Sequence, residues 1–239
     1  MHSHNDRENG IDIPGAKLMN GLQRMLSDIE MEVHLTRHLI GKEALDERVM
    51  AAIKQVPRHE FLPEDLRYLA YNNGPAPIGL GQTISQPYIV ALMSDLLNTK
   101  PTDTILEIGT GSGYQAAVLS KLVIQVYSLE IIEELSIKAQ NRLEKLAYNN
   151  ITVRTGDGHF GWVENSPYDG IIVTAAAAQI PQSLIDQLRI GARLVIPVGL
   201  PYDYQQLMVI EKMTNGKTLS HKILGVSFVP MTGGYGRKI

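Results

Sequence analysis

Three glycines at alternate positions, Gly109, Gly111 and Gly113, follow the apolar run Ile105-Leu-Glu-Ile108, and a helical pattern through Ala116, Ala117, Leu119 and Leu122 follows them. Strand, tight glycine turn and helix present main-chain N–H groups to a nucleotide-like ligand. Glycine serves there because the turn takes positive φ and the ligand must touch main chain where a Cβ would stand. Two acids end the next apolar runs. Val126-Tyr-Ser-Leu-Glu130 closes on a carboxylate 21 residues beyond Gly109, a spacing suited to accepting both hydroxyls of a ribose. Gly156-Asp-Gly158 sets Asp157 between two flexible residues, where it could accept a hydrogen bond from an adenine amine. Glu107 stands just before the turn. Each acid alone reads equally well as a helix cap or loop carboxylate. Three at successive strand ends point to one nucleoside pocket.

That nucleoside could belong to NAD or to S-adenosylmethionine. The dinucleotide fingerprint G-x-G-x-x-G puts its third glycine, counted from Gly109, on Tyr114, and the chain departs from it there. A methyl donor has no pyrophosphate to cradle, so the shorter G-x-G-x-G suffices. His34 and His38, one turn apart, would suit a metal in spacing, but no third ligand follows; they read as a surface pair, and no metal is expected.

These groups must be carried by regular elements, and alternating patterns supply them. Candidate strands are 104–109, 125–130, 152–156, 170–174 and 193–198, with helices at 114–122, 132–147 and 182–188. Such alternation predicts an α/β fold with a doubly wound, mainly parallel sheet. Gln206–Lys212 and Lys222–Val229 flank the turn dipeptide Asn215-Gly216, predicting an antiparallel pair at the sheet's edge. Upstream, helical spacing runs from Ala16 to about Ile40 and from Ala44 to Lys54, stopping before Pro57. Residues 72–87 carry three glycines and three prolines among apolar side chains, which reads as a long, packed, functional loop. A helix opening at Pro87 follows. Residues 1–14 read as a flexible tail, and 15–239 as one domain, a helical extension over 15–100 and a cofactor-binding sheet core over 101–239.

At 239 residues with net charge -3, the chain can bury one sizeable core and lacks the basic footprint of a nucleic-acid binder. Zero cysteines exclude disulfides, thiolate zinc sites and cysteine nucleophiles. The polar N-terminus lacks an apolar signal core, and no window approaches the roughly 18 apolar residues of a membrane span. No nucleic acid, no membrane and a cytoplasmic location are the expectations.

Ile105–Gly113, Glu130 and Gly156–Gly158 resemble the motifs of class I S-adenosylmethionine-dependent methyltransferases, whose fold is a Rossmann-like methyltransferase sheet with, here, N-terminal helices. Gln82-Thr-Ile-Ser-Gln-Pro-Tyr-Ile-Val-Ala91 is more specific and resembles the signature of the protein-L-isoaspartate O-methyltransferase family. Val56–Pro63, Asp169–Ala177 and Val226–Thr232 are similar to that family in order and spacing, so the resemblance spans roughly Leu45 to Thr232. Ser227 stands where many members have arginine, Gln179 where an acid is common, and the first forty or so residues exceed the usual start.

The resemblance implies S-adenosylmethionine as methyl donor and the α-carboxylate of L-isoaspartyl residues in damaged proteins and peptides as acceptor. It implies Ser85 as the active-site hydroxyl, with Thr83, Ile84 and Gln86 closing over the donor. Gly109, Thr110, Gly111 and Gly113, together with Glu130, Asp157 and Gly158, would hold it, and Thr232 would approach from the C-terminal segment. Ser85 could equally cap the helix at Pro87, although Gln86 is the nearer cap. The strand-like 226–229 run and the following Pro230-Met-Thr232 could hold peptide by main-chain hydrogen bonds, as strand-addition sites do. A nucleic-acid methyltransferase, a small-molecule O-methyltransferase and a non-enzymatic cofactor-binding protein are the rival readings.

Overall fold

The computed structural model describes residues 14–200 and 203–234, with side chains from Leu18 onward. Of the tail expected over 1–14, residues 1–13 lie outside the described residues, and Pro14 departs from the expectation by opening helix α1 (Pro14–Ile40). Met25, Ile29 and Val33 bury one stripe of α1 while His34 and His38 stay exposed. Helix α2 (Glu47–Gln55) is capped by the Asp46 carboxylate, which accepts from the Arg48 N–H at 2.8 Å. It stops at Val56, driven into extended geometry by Pro57. Two 3-10 turns, Arg58–Phe61 and Glu64–Leu69, lead to the short strands β1 (Ala76–Gly79) and β2 (Gln82–Ile84). This is a departure from the irregular loop expected over 72–87. Gly79-Leu80-Gly81 all take positive φ (94°, 53° and 71°), which closes the two strands into an antiparallel hairpin. Helix α3 (Pro87–Leu96) follows with Pro87 in its first turn.

The alternating half then begins with β3 (Thr104–Ile108), α4 (Tyr114–Ser120), β4 (Gln125–Glu130), α5 (Glu133–Lys145), β5 (Ile151–Thr155), β6 (Tyr168–Val173) and α6 (Gln182–Asp186). It ends with β7 (Leu188–Val198), β8 (Gln205–Lys212) and β9 (Thr218–Val226). The seven strands lie in the order β5-β4-β3-β6-β7-β8-β9. β3 to β7 are parallel, and β8 and β9 add in antiparallel fashion. The expected fold class, mainly parallel with an antiparallel edge pair, is what the chain forms. Two bounds differ. β7 begins five residues before the expected Arg193, pairing Leu188 with Tyr168 before a register shift restores alignment at Arg193. β9 runs from Thr218 to Val226 rather than 222–229, because a side chain takes over the main-chain bonds beyond Val226, as described below.

Period-2 alternation splits the core between the two faces of the sheet. Leu106, Ile171 and Leu194 form a cross-strand row toward Trp162, Tyr168 and Leu184. The neighbouring row is Glu107, Ile172 and Val195, of which the two apolar members pack with α1 to α4. Glu107 is therefore an acid in an apolar row.

Candidate functional site

The parallel order reverses direction between β3 and β6, and in such sheets the crevice at the strands' carboxyl ends is where ligands bind. Here that crevice is a cavity with about 790 Å³ of empty space, part of it open solvent. Its walls come from β2, the turn after β3, the end of β4, Gly156 and Gly158 after β5, Thr174 after β6, and the 229–232 segment.

The turn after β3 is shaped by main chain. Gly109 has φ of 96°, and a Cβ there would lie 2.5 Å from the Thr174 hydroxyl. That hydroxyl in turn donates to the Gly109 carbonyl at 2.6 Å. On the opposite wall a Cβ on Gly158 would meet Ile108 at 2.1 Å, so only glycine lets the segment after β5 close against β3. Gly113, at φ of 86°, is the N-cap residue of α4 and lies behind the wall. Arg142 of α5 donates to the Ser112 carbonyl at 2.8 Å and steadies the turn from outside.

Glu130 ends β4 almost fully buried. One carboxylate oxygen accepts from the Gly111 N–H at 2.8 Å and the other from the Ile132 N–H at 3.0 Å. Each oxygen keeps lone-pair capacity for a further donor, which suits a vicinal diol. Thr110 turns its hydroxyl away from the cavity, bonding Ser128 at 2.6 Å. Ser128 in turn bonds Glu107, so the three side chains form one buried polar chain. Burial pushes the Glu107 pKa up to about 8, with the nearby Glu130 charge acting the same way against the Ser128 hydrogen bond. Glu107 is thereby held toward its protonated form.

Asp157 sits beside the cavity wall, unlike its neighbours Gly156 and Gly158. Its oxygens accept from the Gly234 N–H at 2.7 Å, the His159 N–H at 2.9 Å and the His159 ring at 3.1 Å. Burial opposes ionisation, but the Gly234 and His159 donors outweigh it and hold the carboxyl below its ordinary value. Asp157 thus ties the C-terminal segment that carries Thr232 across the cavity mouth.

A second cavity of about 1220 Å³ opens between the β1–β2 hairpin and the 225–229 segment. Thr83, Ser85, Thr174 and Val229 line both cavities. The Ser85 hydroxyl caps nothing among the described residues; Gln86 holds the N-cap position of α3, lines only the second cavity and makes no side-chain cap either. Nine of the twelve expected site residues (Thr83, Ile84, Ser85, Gly109, Thr110, Gly111, Glu130, Gly158 and Thr232) meet at the first cavity, and Gln86, Gly113 and Asp157 stand next to it.

Thr174 and Gln205 escaped the sequence reading. Thr174 ends the strand at the switch point, a position that marks it even without an acidic side chain. Gln205, almost fully buried, donates to the Phe228 carbonyl at 3.1 Å and accepts the Phe228 N–H at 2.6 Å. One amide side chain so replaces a neighbouring strand. Val229 gives its carbonyl to the Ala176 N–H at 2.8 Å. Within the 226–232 segment expected to hold a peptide, both main-chain groups of Phe228, the Val229 carbonyl and the Met231 N–H are bonded inside the chain itself.

Among the described residues no cluster of histidines and acids could hold a metal, and no helix is long and apolar enough to cross a membrane. A family model described as protein-L-isoaspartate(D-aspartate) O-methyltransferase matches residues 30–236. The chain is 58% identical over 215 residues to protein-L-isoaspartate O-methyltransferase 2 of Nitrosococcus oceani, covering 90% of this chain and 98% of the relative. It is 56% identical over 212 residues to the enzyme of the same name from Syntrophobacter fumaroxidans, covering 89% and 86%. Among solved structures, a protein-L-isoaspartate O-methyltransferase superposes with TM-score 0.74 at 25% identity, over 89% of this chain and 66% of that one. The fold also matches a structure from Plasmodium falciparum, described as a putative enzyme of this kind in complex with S-adenosyl-L-homocysteine. Its TM-score is 0.70 at 24% identity, over 88% of this chain and 97% of that one.

Proposed function

We propose residue roles for this reaction from one premise: the chain belongs to the protein-L-isoaspartate(D-aspartate) O-methyltransferase family. It is an enzyme that moves a methyl group from S-adenosylmethionine to the free α-carboxylate of L-isoaspartyl residues in damaged proteins and peptides. The observation that carries the proposed roles is the position of Ser85, at the junction of the cavity walled by the glycine turn and Glu130 and a second groove.

The residues of the first cavity fit the donor. Glu130 has spare acceptor capacity for the ribose hydroxyls, and the glycine turn brings main chain to the wall without a Cβ. Bound S-adenosylmethionine supplies an electrophilic methyl on a sulfonium. The acceptor carboxylate is ionised at neutral pH, so no general base is required, and the roles left to the protein are alignment and exclusion of water. Ser85 donates its hydroxyl to one carboxylate oxygen and leaves the other free to attack. Thr83 and Ile84 wall the donor on one side and Thr232 on another, with Asp157 holding the Thr232 segment in place. The isoaspartyl chain occupies the second groove beside Gln86 and Phe228.

One domain is part of the same reading, supported by a hydrophobic cluster shared between Met25 of α1 and Val209 of β8. So are the cytoplasm as location and proteins rather than nucleic acid as substrates; the net charge of -3 favours the latter. Ser85→Ala tests the central role. It is expected to lower kcat and kcat/KM together, the mark of an interaction made in the transition state, with calorimetric affinity for S-adenosylhomocysteine unchanged. Unchanged kcat in the folded variant would remove Ser85 from the chemistry.

A further inference from the structure

Arg58 stands outside both cavities and is entirely buried. No carboxylate pairs with it among the described residues. Its Nε donates to the Ala70 carbonyl at 2.9 Å and its Nη2 to the Ser85 carbonyl at 2.7 Å, while Nη1 has no hydrogen-bond partner. The guanidinium carbon lies 4.7 Å from the centroid of the Tyr114 ring. Tyr114 is the first residue of α4, directly after the glycine turn, and it lines the donor cavity. Phe61 braces the same ring edge-on at 5.5 Å.

A buried guanidinium without an anion is strongly unfavourable, and an apolar side chain of similar length would serve stability better. Burial lowers its pKa to about 10, which still leaves it charged at neutral pH. Geometry explains what the charge does. The planar fork presents two donors at a fixed angle and a flat face to an aromatic ring, a combination that a lysine ammonium cannot reproduce. Through it the Ser85 main chain is joined to Ala70 on one side and to the donor-binding turn on the other. The Ser85 carbonyl, next to the helix opened by Pro87, receives its hydrogen bond from Arg58.

We propose that Arg58 is a positioning residue for methyl transfer: it fixes the Ser85 main chain against the Tyr114 ring and so sets where the Ser85 hydroxyl presents the substrate carboxylate. This rests on the reading of Ser85 given above. In-line transfer tolerates little misplacement, and an error of about one ångström costs on the order of a hundredfold in rate.

The test compares Arg58→Lys, Arg58→Met, Ser85→Ala and Arg58→Lys/Ser85→Ala. Each is measured for kcat on an isoaspartyl peptide and for calorimetric affinity toward S-adenosylhomocysteine. Arg58→Lys and Arg58→Met are expected to lose roughly 10- to 100-fold in kcat while ligand affinity stays within about threefold of the parent. In the Ser85→Ala background, Arg58→Lys should cost almost nothing more, because the group through which it acts is gone. A folded Arg58→Lys with parental kcat, or a loss that multiplies with that of Ser85→Ala, would overturn the proposal. So would failure of both single Arg58 variants to fold, which would assign the guanidinium to stability alone. Ser85→Ala with full kcat would instead sink the reading of Ser85 itself, a result separate from the others.

Discussion

Removing the Glu130 carboxylate should weaken donor binding more than it weakens the fold, and the structure lets both be sized. In Glu130→Ala two main-chain N–H groups, those of Gly111 and Ile132, lose their acceptors. Both residues line the cavity, so water can reach them and the cost falls near the lower end of the usual range, about 1 kcal/mol each. For a chain of this size about 2 kcal/mol corresponds to a Tm lowered by roughly 4–8 °C. Donor binding loses charge-assisted bonds to the ribose hydroxyls, about 1.5–3 kcal/mol, or roughly 10- to 150-fold in Kd. Calorimetry with S-adenosylhomocysteine, run below the lowered Tm, separates the two effects. Glu130→Gln keeps one acceptor and should fall between the parent and Glu130→Ala in both measurements. Unchanged affinity in folded Glu130→Ala, with only Tm lowered, would refute the reasoning and make Glu130 a brace for the turn.

Two further outcomes follow from the same geometry. Asp157 has a depressed folded-state pKa, so its contribution to stability is present above its ordinary value of 3.8 and is lost as pH falls through the lower folded value. The Tm difference between the parent and Asp157→Asn should therefore be full at neutral pH and shrink in acid below pH 3.8; a difference independent of pH would exclude the charge as its origin. Gly109→Ala places a Cβ 2.5 Å from the Thr174 hydroxyl in a backbone with φ of 96°. It should cost about 1–3 kcal/mol, visible as lowered Tm, and adding Thr174→Ala should restore only part of it because the φ strain remains.

The cofactor side of the fold was legible because its signals are local. Glycine spacing and acids at strand ends report directly on a turn and on what it can accept, and period-2 and helical patterns carry them on the right elements. The hairpin over 76–84 was not legible, since strands of four and three residues are too short to show alternation. Its closure depends on a leucine held at φ of 53° between two glycines. β9 stopped at Val226 for a reason that no pattern carries: the Gln205 side chain, distant in sequence, takes both main-chain groups of Phe228. Arg58 reads as a surface residue in any sequence, and only packing reveals that its partners are two carbonyls and a tyrosine ring. Asp157 reads in the sequence as an acceptor for an adenine amine, and no local signal shows that its oxygens take the chain's own Gly234 and His159 N–H groups.

The central claim is that the junction at Ser85 aligns one particular carboxylate with the methyl donor. An isoaspartyl residue routes the main chain through its β-carboxyl, leaving the α-carboxylate on a stub one methylene shorter than an aspartyl side chain. A site built for the shorter stub misplaces the normal carboxylate by about an ångström, at a cost on the order of a hundredfold. The direct measurement is labelled-methyl transfer to a synthetic isoaspartyl peptide and to its aspartyl twin, compared as kcat/KM. The account predicts at least about a hundredfold preference for the isoaspartyl peptide; comparable values for the two isomers would contradict it.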